Sequence, residues 1–290
     1  MNGGRATEPS SEAAGALAEV LRARLKTRRI GRALEVFPAV DSTNDLARAA
    51  IESASDAAAL DGRTFLSLYQ RSGRGRQGHA WSAPPGTSFL GSVIFSSGPW
   101  PVPGVTAVAA LAVVDAIAPL VPRGTTIKWP NDVLVDGKKI AGVLIEAKGG
   151  PGGMPTFVVG VGINANQSLL DFPRELRSSA TSLRLVRGLP VDLAELSALF
   201  LETLERRYAS LRAREVQALA ESFLDRLGLR GRPVKVFTGE PFVVGSLVGL
   251  SFEEGIRLSR PEGPATLPCE TVTAISPTLL ESRAPRSGRG

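Results

Sequence analysis

Residues 70–81, Gln-Arg-Ser-Gly-Arg-Gly-Arg-Gln-Gly-His-Ala-Trp, restrict what this chain can fold into more than any other stretch. Arg71, Arg74 and Arg76 stand among Gly73, Gly75 and Gly78, with the Trp81 indole three residues on. Glycine takes positive φ and lets backbone amides approach a ligand closely. Arginine stays charged and forks onto phosphate or carboxylate oxygens. Such a loop suits a polyanion, with an aromatic to cover a flat ring. Gly73 to Gly78 also spells Gly-x-Gly-x-x-Gly after the apolar run Phe65-Leu66-Ser67-Leu68-Tyr69, which raises a dinucleotide-binding fold. That fold needs the glycines to open a helix and an acidic residue roughly 20 positions later. Here Ser82-Ala83-Pro84-Pro85-Gly86 follows, which cannot start a helix cleanly. No Asp or Glu occurs from His79 to Val114. The dinucleotide fold is set aside.

With 290 residues, one large domain plus a small one is expected. The single Cys, Cys269, rules out a disulfide framework, and with one His the chain lacks the usual zinc ligands, so no metal site is assigned. A Ser-His-Asp triad would have to use His79, which sits beside arginines rather than near a nucleophile elbow. No apolar run reaches the roughly 20 residues of a membrane span, and the N-terminus lacks a signal-peptide layout. A soluble cytoplasmic protein is expected. The net charge of +6 invites a nucleic-acid reading, but much of the excess lies in Arg22–Arg32 and Arg283–Arg289, as solvated faces and tails would.

Along the chain, residues 1–10 read as disordered, and Ser11 to Lys26 as a helix with Leu17, Leu21 and Leu25 on one stripe. Val36–Val40 is a candidate strand. Asp41-Ser42-Thr43-Asn44 then precede the helical stripe Leu46, Ala47, Ala50, Ile51 and read as its cap. Phe65–Gln70, Ser88–Phe95, Thr126–Trp129 and Phe157–Ile163 read as strands, and Val105–Ala118 as a buried helix. Val133–Val135 and Ile140–Glu146 flank Asp136-Gly137-Lys138, a hairpin signal. Leu193–Leu211 and Val216–Leu227 read as helices. After Gly228, Arg232–Phe237, Phe242–Leu250, Ile256–Ser259 and Glu270–Ile275 are short alternating runs, as in a small all-β barrel.

Three further strings carry chemistry. Lys128-Trp129-Pro130-Asn131-Asp132 puts a lysine at a strand end before an X-Pro turn, although an exposed lysine at an Asn-Asp turn explains it too. Gly160–Asn166, Gly-Val-Gly-Ile-Asn-Ala-Asn, could approach a ligand and present Asn164, or could be a tightly packed strand. Lys138-Lys139-Ile140-Ala141-Gly142-Val143-Leu144-Ile145-Glu146 is most simply a core strand with a solvated basic turn. Together with Asp-Ser-Thr-Asn and Gly-Arg-Gly-Arg-x-Gly, and in this order, these strings resemble the biotin protein ligase family over roughly residues 35 to 280.

The resemblance implies an α+β fold: a mixed, mainly antiparallel sheet with helices on one face, a class II synthetase-like catalytic domain, then a small SH3-like β-barrel. It divides the chain into an N-terminal extension (1–33, partly disordered with a short helix), a catalytic domain (34–228), the barrel (229–283) and a disordered tail (284–290). It implies ATP-dependent formation of biotinyl-5′-adenylate and transfer of biotin to one lysine of a biotin carboxyl carrier domain. ATP and biotin are then substrates and Mg²⁺ the cofactor. By motif position, Ser42, Thr43, Asn44 and Gln70 would surround the biotin ureido ring. Arg74, Gly75 and Arg76 would close over biotin and the phosphates, and Lys128 would lie near the carboxyl and α-phosphate. Arg74, Arg76 and Lys128 are thus the catalytic candidates. Asn164 would face phosphate and Mg²⁺, with Asn131, His79 and Trp81 also on the ATP side. His79 stands where family members often carry a basic residue. A short form without a DNA-binding front end is expected, with no DNA or membrane partner and room for a homodimer. The competing readings are a lipoate or octanoyl ligase and a basic nucleic-acid-binding protein.

Overall fold

Alternation at period two gives the long strands one apolar face and a second face that carries glycines, serines and Glu146, with Ile94 and Val158 apolar at one end of it. The computed structural model describes residues 7–278, apart from 97, 122, 123, 151, 152, 154 and 240. The first six residues and the expected tail, 284–290, lie outside the described residues. The elements begin with α1 (Ser11–Arg24), β1 (Leu34–Phe37), α2 (Thr43–Ser53), β2 (Thr64–Ser67) and β3 (Ser88–Phe95). Next come α3 (Val102–Ile117), β4 (Thr125–Lys128), β5 (Asp132–Val135), β6 (Lys138–Gly149) and β7 (Pro155–Asn164). Three helices follow, α4 (Leu183–Arg187), α5 (Leu193–Arg212) and α6 (Val216–Leu227). The chain closes on β8 (Pro233–Phe237), β9 (Val243–Ser251), β10 (Gly255–Ser259), β11 (Ala265–Leu267) and β12 (Ala274–Pro277).

The first seven strands form one sheet in the order β1-β2-β3-β7-β6-β5-β4. Only β1 and β2 run parallel; the other pairings are antiparallel. The sheet is mixed and mainly antiparallel, as expected. The expected hairpin joins β5 to β6 through Asp136 (φ 49°) and Gly137 (φ 77°). Two successive positive φ values match the right-handed strand twist, which is why Asp-Gly serves here.

The helices do not share one face. Phe89, Val93, Phe95, Phe157, Val159 and Ile163 point into the main core with α3 and α5. Phe89 meets Phe200 edge-on at 4.8 Å, and Phe95 stacks on Tyr208 at 3.7 Å. Phe65, Ile94 and Val158 point the other way and pack under Ala47 and Ile51 of α2. The expectation of helices on one face fails for α2, because odd and even positions of β3 and β7 are both apolar at that end. Ahead of β1, Glu205 of α5 accepts the backbone N–H groups of Arg28, Arg29 and Ile30, tying α1's connection to the core.

A second, five-stranded antiparallel sheet, β11-β10-β9-β8-β12, occupies the C-terminal stretch. The expected strand Glu270–Ile275 is displaced: Thr271 and Val272 donate back to Pro268 and Cys269 in turns, so β12 starts only at Ala274. Trp129, Phe223 and Phe252 join the two sheets in successive edge-on contacts. The Trp129 indole also donates to the Val272 carbonyl at 2.8 Å. No helix among the described residues is long and apolar enough to cross a membrane.

Candidate active site

Gly142, Gly160 and Gly162 clear side chains from the second face of β6 and β7, with Gly142 directly opposite Gly162. A Cβ on Gly162 would lie 2.5 Å from the Trp81 ring, and one on Gly160 would lie 2.3 Å from Asn44 Oδ1. The cleared floor opens into a cavity of about 330 Å³. Its lining brings together Ser42, Thr43, Asn44, Gln70, Arg74, Gly75, Arg76, His79, Trp81, Lys128 and Asn131 from the expected set.

The Asp-Ser-Thr-Asn string does not cap α2 through its side chains. Ser42 is the N-cap without a side-chain hydrogen bond, while Thr43 and Asn44 are the helix's first residues and only 3% and 4% exposed. Their polar atoms turn onto the sheet instead. Thr43 donates its N–H to Gln70 Oε1 at 2.8 Å, and its hydroxyl lies 3.0 Å from the same oxygen. The Asn44 amide donates to Glu146 at 2.8 Å.

The arginine-glycine loop folds back on itself. The Trp81 N–H donates to the Gly73 carbonyl and the Gly75 N–H to the His79 carbonyl, at 2.9 and 2.7 Å. A Cβ on Gly73 would come within 2.3 Å of the Trp81 carbonyl, so the closure needs glycine there. Gln77 (φ 54°) and Gly78 (φ 77°) turn the tip. Arg74 donates to Asp45 at 2.8 Å and lies 3.5 Å from Glu146, and Arg76 reaches Asn131 Oδ1 at 3.4 Å. Arg74 Nε and Trp81 Nε1 are buried donors with no partner among the described residues. Arg71 points away to Glu8 and Asp41; its hydrogen bond holds Glu8 below the usual carboxylate range. His79 is exposed at the loop's end.

Two lysines line the cavity. Lys128 is exposed and has no hydrogen bond or ion pair among the described residues. Lys139 pairs with Asp132 at 2.7 Å, and its Nζ stands 5.6 Å from the Trp81 ring centroid. Sequence reasoning left Lys139 in a solvated turn, and it missed Asp45, Asp132 and Glu146 as partners of the site's cations. The signal available was the parity of β6: Gly142 and Glu146 share a face by alternation. Thr273, just ahead of β12, and Ala274, its first residue, also line the cavity and were not foreseen. Asn164 is not brought to the cavity. It is buried, donating to the Thr181 carbonyl at 3.0 Å and accepting from Gln167 at 2.9 Å. A second cavity of about 320 Å³ adjoins the first and shares Arg76, Asn131 and Leu144 with it. Cys269 lines that cavity, and burial, then the nearby Glu270 charge, pushes its thiol up to about 12.

Residues 36–164 match the Biotin/lipoate A/B protein ligase family. The chain is 35% identical over 222 residues to the biotin–[acetyl-CoA-carboxylase] ligase of Mycobacterium tuberculosis, covering 74% of this chain and 78% of that one. It belongs to the biotin protein ligase family. The bifunctional ligase/repressor BirA of Bacillus spizizenii, another relative, is 32% identical over 248 residues, which span 84% of this chain and 74% of its own. A variant biotin protein ligase from Aquifex aeolicus, solved in complex with biotin, superposes with a TM-score of 0.69 at 25% identity, covering 84% of this chain and 97% of its own. Within the family's frame, the glycine-cleared floor and the loop above it are one candidate active site.

Proposed function

We propose that this chain is an ATP-dependent ligase that makes biotinyl-5′-adenylate and transfers the biotinyl group to a lysine of a biotin carboxyl carrier domain. A biotin carboxylate oxygen attacks the α-phosphorus and pyrophosphate leaves. The carrier amine then attacks the acyl carbon and AMP leaves. Both nucleophiles belong to substrates, so the protein's task is to orient them and to offset developing phosphate charge. The observation that carries the reading is the convergence of Arg74, Arg76, Lys128 and Lys139 on one cavity lined by three glycines that let Asn44, Trp81 and Lys139 lie against the sheet.

In this reading the ureido ring lies toward Ser42, Thr43 and Gln70, whose hydroxyl and amide groups answer its donors and acceptor. Asn44 supports that end, since its own amide is already engaged on both sides. Arg74 and Arg76 face the phosphates. Lys139, steered by Asp132, is the better-held cation for the α-phosphate, with Lys128 on the wall beside it. Mg²⁺ enters as the counter-ion of the ATP phosphates, the usual habit of that ion at nucleotide sites. A cytoplasmic setting fits this reading, since the reaction draws on ATP, and no helix among the described residues is long and apolar enough to cross a membrane.

Incubation with ATP, Mg²⁺ and biotin should release pyrophosphate only when biotin is present. Release driven by lipoate instead would move the assignment to the competing ligase, and no release with either acid would refute it.

A further inference from the structure

The floor carries one unbroken row of polar side chains from Gln70 to Arg74. Ser92 Oγ lies 2.7 Å from Thr43 Oγ1 and 2.6 Å from Asn44 Oδ1, and it is fully buried. Thr43 Oγ1 lies 3.0 Å from Gln70 Oε1. Beyond Ser92, the Asn44 amide donates to Glu146 Oε2, and Glu146 Oε1 faces Arg74 Nη2 at 3.5 Å. The same Nη2 donates to Asp45 at 2.8 Å.

The row has a built-in shortage. Thr43 and Ser92 bring one hydroxyl proton each to three oxygen–oxygen contacts, and Gln70 Oε1 and Asn44 Oδ1 can only accept. If Thr43 gives its proton to Gln70, one Ser92 contact is left without a proton. If a ligand N–H donates to Gln70 instead, the Thr43 proton can turn to Ser92 and the Ser92 proton to Asn44, and both Ser92 contacts are satisfied. The Asn44 amide, whose N–H already points at Glu146, is then held from its oxygen side by a committed Ser92 proton, which steadies Glu146 with its second oxygen toward Arg74.

We propose that Ser92 and Glu146 are positioning residues that couple the biotin end of the cavity to Arg74 at the phosphate end. The inference rests on the ligase reading above. It follows that the two ligands strengthen each other's binding by the same factor, since coupling between sites is reciprocal.

Titration calorimetry of biotin, with and without a saturating non-hydrolysable ATP analogue, tests the row. The wild-type chain should bind biotin at least fivefold tighter with the analogue present. In Ser92→Ala and in Glu146→Gln, both near-isosteric, that ratio should fall below twofold, and the double variant should lose no more than either single one. A merely structural role would weaken biotin binding or lower the melting temperature yet leave the ratio intact, and that result overturns the proposal. A wild-type ratio of one overturns it too, whereas a wild-type chain that binds no biotin removes the ligase reading itself.

Discussion

Val159 and Gly160 are neighbours in β7 yet serve opposite sides of the sheet. Val159 sits in the main core with Phe89, Val93 and Phe95, against α3 and α5. Gly160 gives up its side chain so that Asn44 can lie on the strand. One face is filled to interior density and stabilises by burial, at roughly 25 cal/mol per Å² of apolar surface. The other is held open, and its charges are paired in half-exposed positions, Arg74 with Asp45 and Lys139 with Asp132. The difference teaches that stability and chemistry are separated here by residue parity rather than by domain. α2 shows the boundary: its first turn is polar over the cavity, and Ala47 and Ile51 further along are core.

Substitutions on the apolar face should damage folding and spare the chemistry. Phe95→Ala removes a fully buried ring stacked on Tyr208 and should cost roughly 3–5 kcal/mol, read as a lower denaturation midpoint, with the KM for biotin unchanged at temperatures where the chain is folded. On the open face the order should invert. Lys139→Ala should slow biotin-dependent pyrophosphate exchange by about 10²–10³-fold with little change in melting. Lys128→Ala should slow it by less, on the order of tenfold; equal losses would break the distinction between a held and an unheld lysine.

A smaller effect belongs to Cys269 at the junction of the sheets. Its thiol is raised from 9.0 to about 12, so between those values the folded chain keeps a proton that the unfolded chain releases. Folding stability should therefore decline as pH rises through that window, by up to about 1.4 kcal/mol per unit. Chemical denaturation of wild type and Cys269→Ala at pH 7.5 and 10.5 checks it, the variant showing the shallower loss. The smallest effect should come from His79→Arg: a few-fold tighter ATP binding, because the residue is exposed and a full charge there is screened.

Much of this division was legible in residue order. β3 and α6 fall where alternation and helical spacing put them, and Asp136-Gly137 marks its hairpin because few residues tolerate two positive φ values. The arginine-glycine loop also declared itself by composition, whereas Ser42–Asn44 read as a helix cap and only the family resemblance put it at the site. What residue order withheld was long-range. Phe65 and Val158 look the same as Leu66 and Val159 until the covering helix is known, so α2's side of the sheet was missed. Lys139 reads as solvated beside Lys138 because its partner Asp132 is fixed only by strand pairing. Asn164 reads as a ligand for the opposite reason: the strand-end asparagine is exposed in the string and satisfied by Thr181 and Gln167 in the fold.

The most direct test places one methyl group on the open face and removes two from the apolar face of the same strand. Gly160→Ala forces the Asn44 amide off Ser92 and Glu146, while Val159→Ala leaves the cavity untouched. Biotin-dependent ATP–pyrophosphate exchange should fall at least tenfold in Gly160→Ala and stay within twofold of wild type in Val159→Ala, each measured well below its melting temperature. Equal exchange in the two variants, or a greater loss in Val159→Ala, would contradict the assignment of the chemistry to the glycine-cleared face.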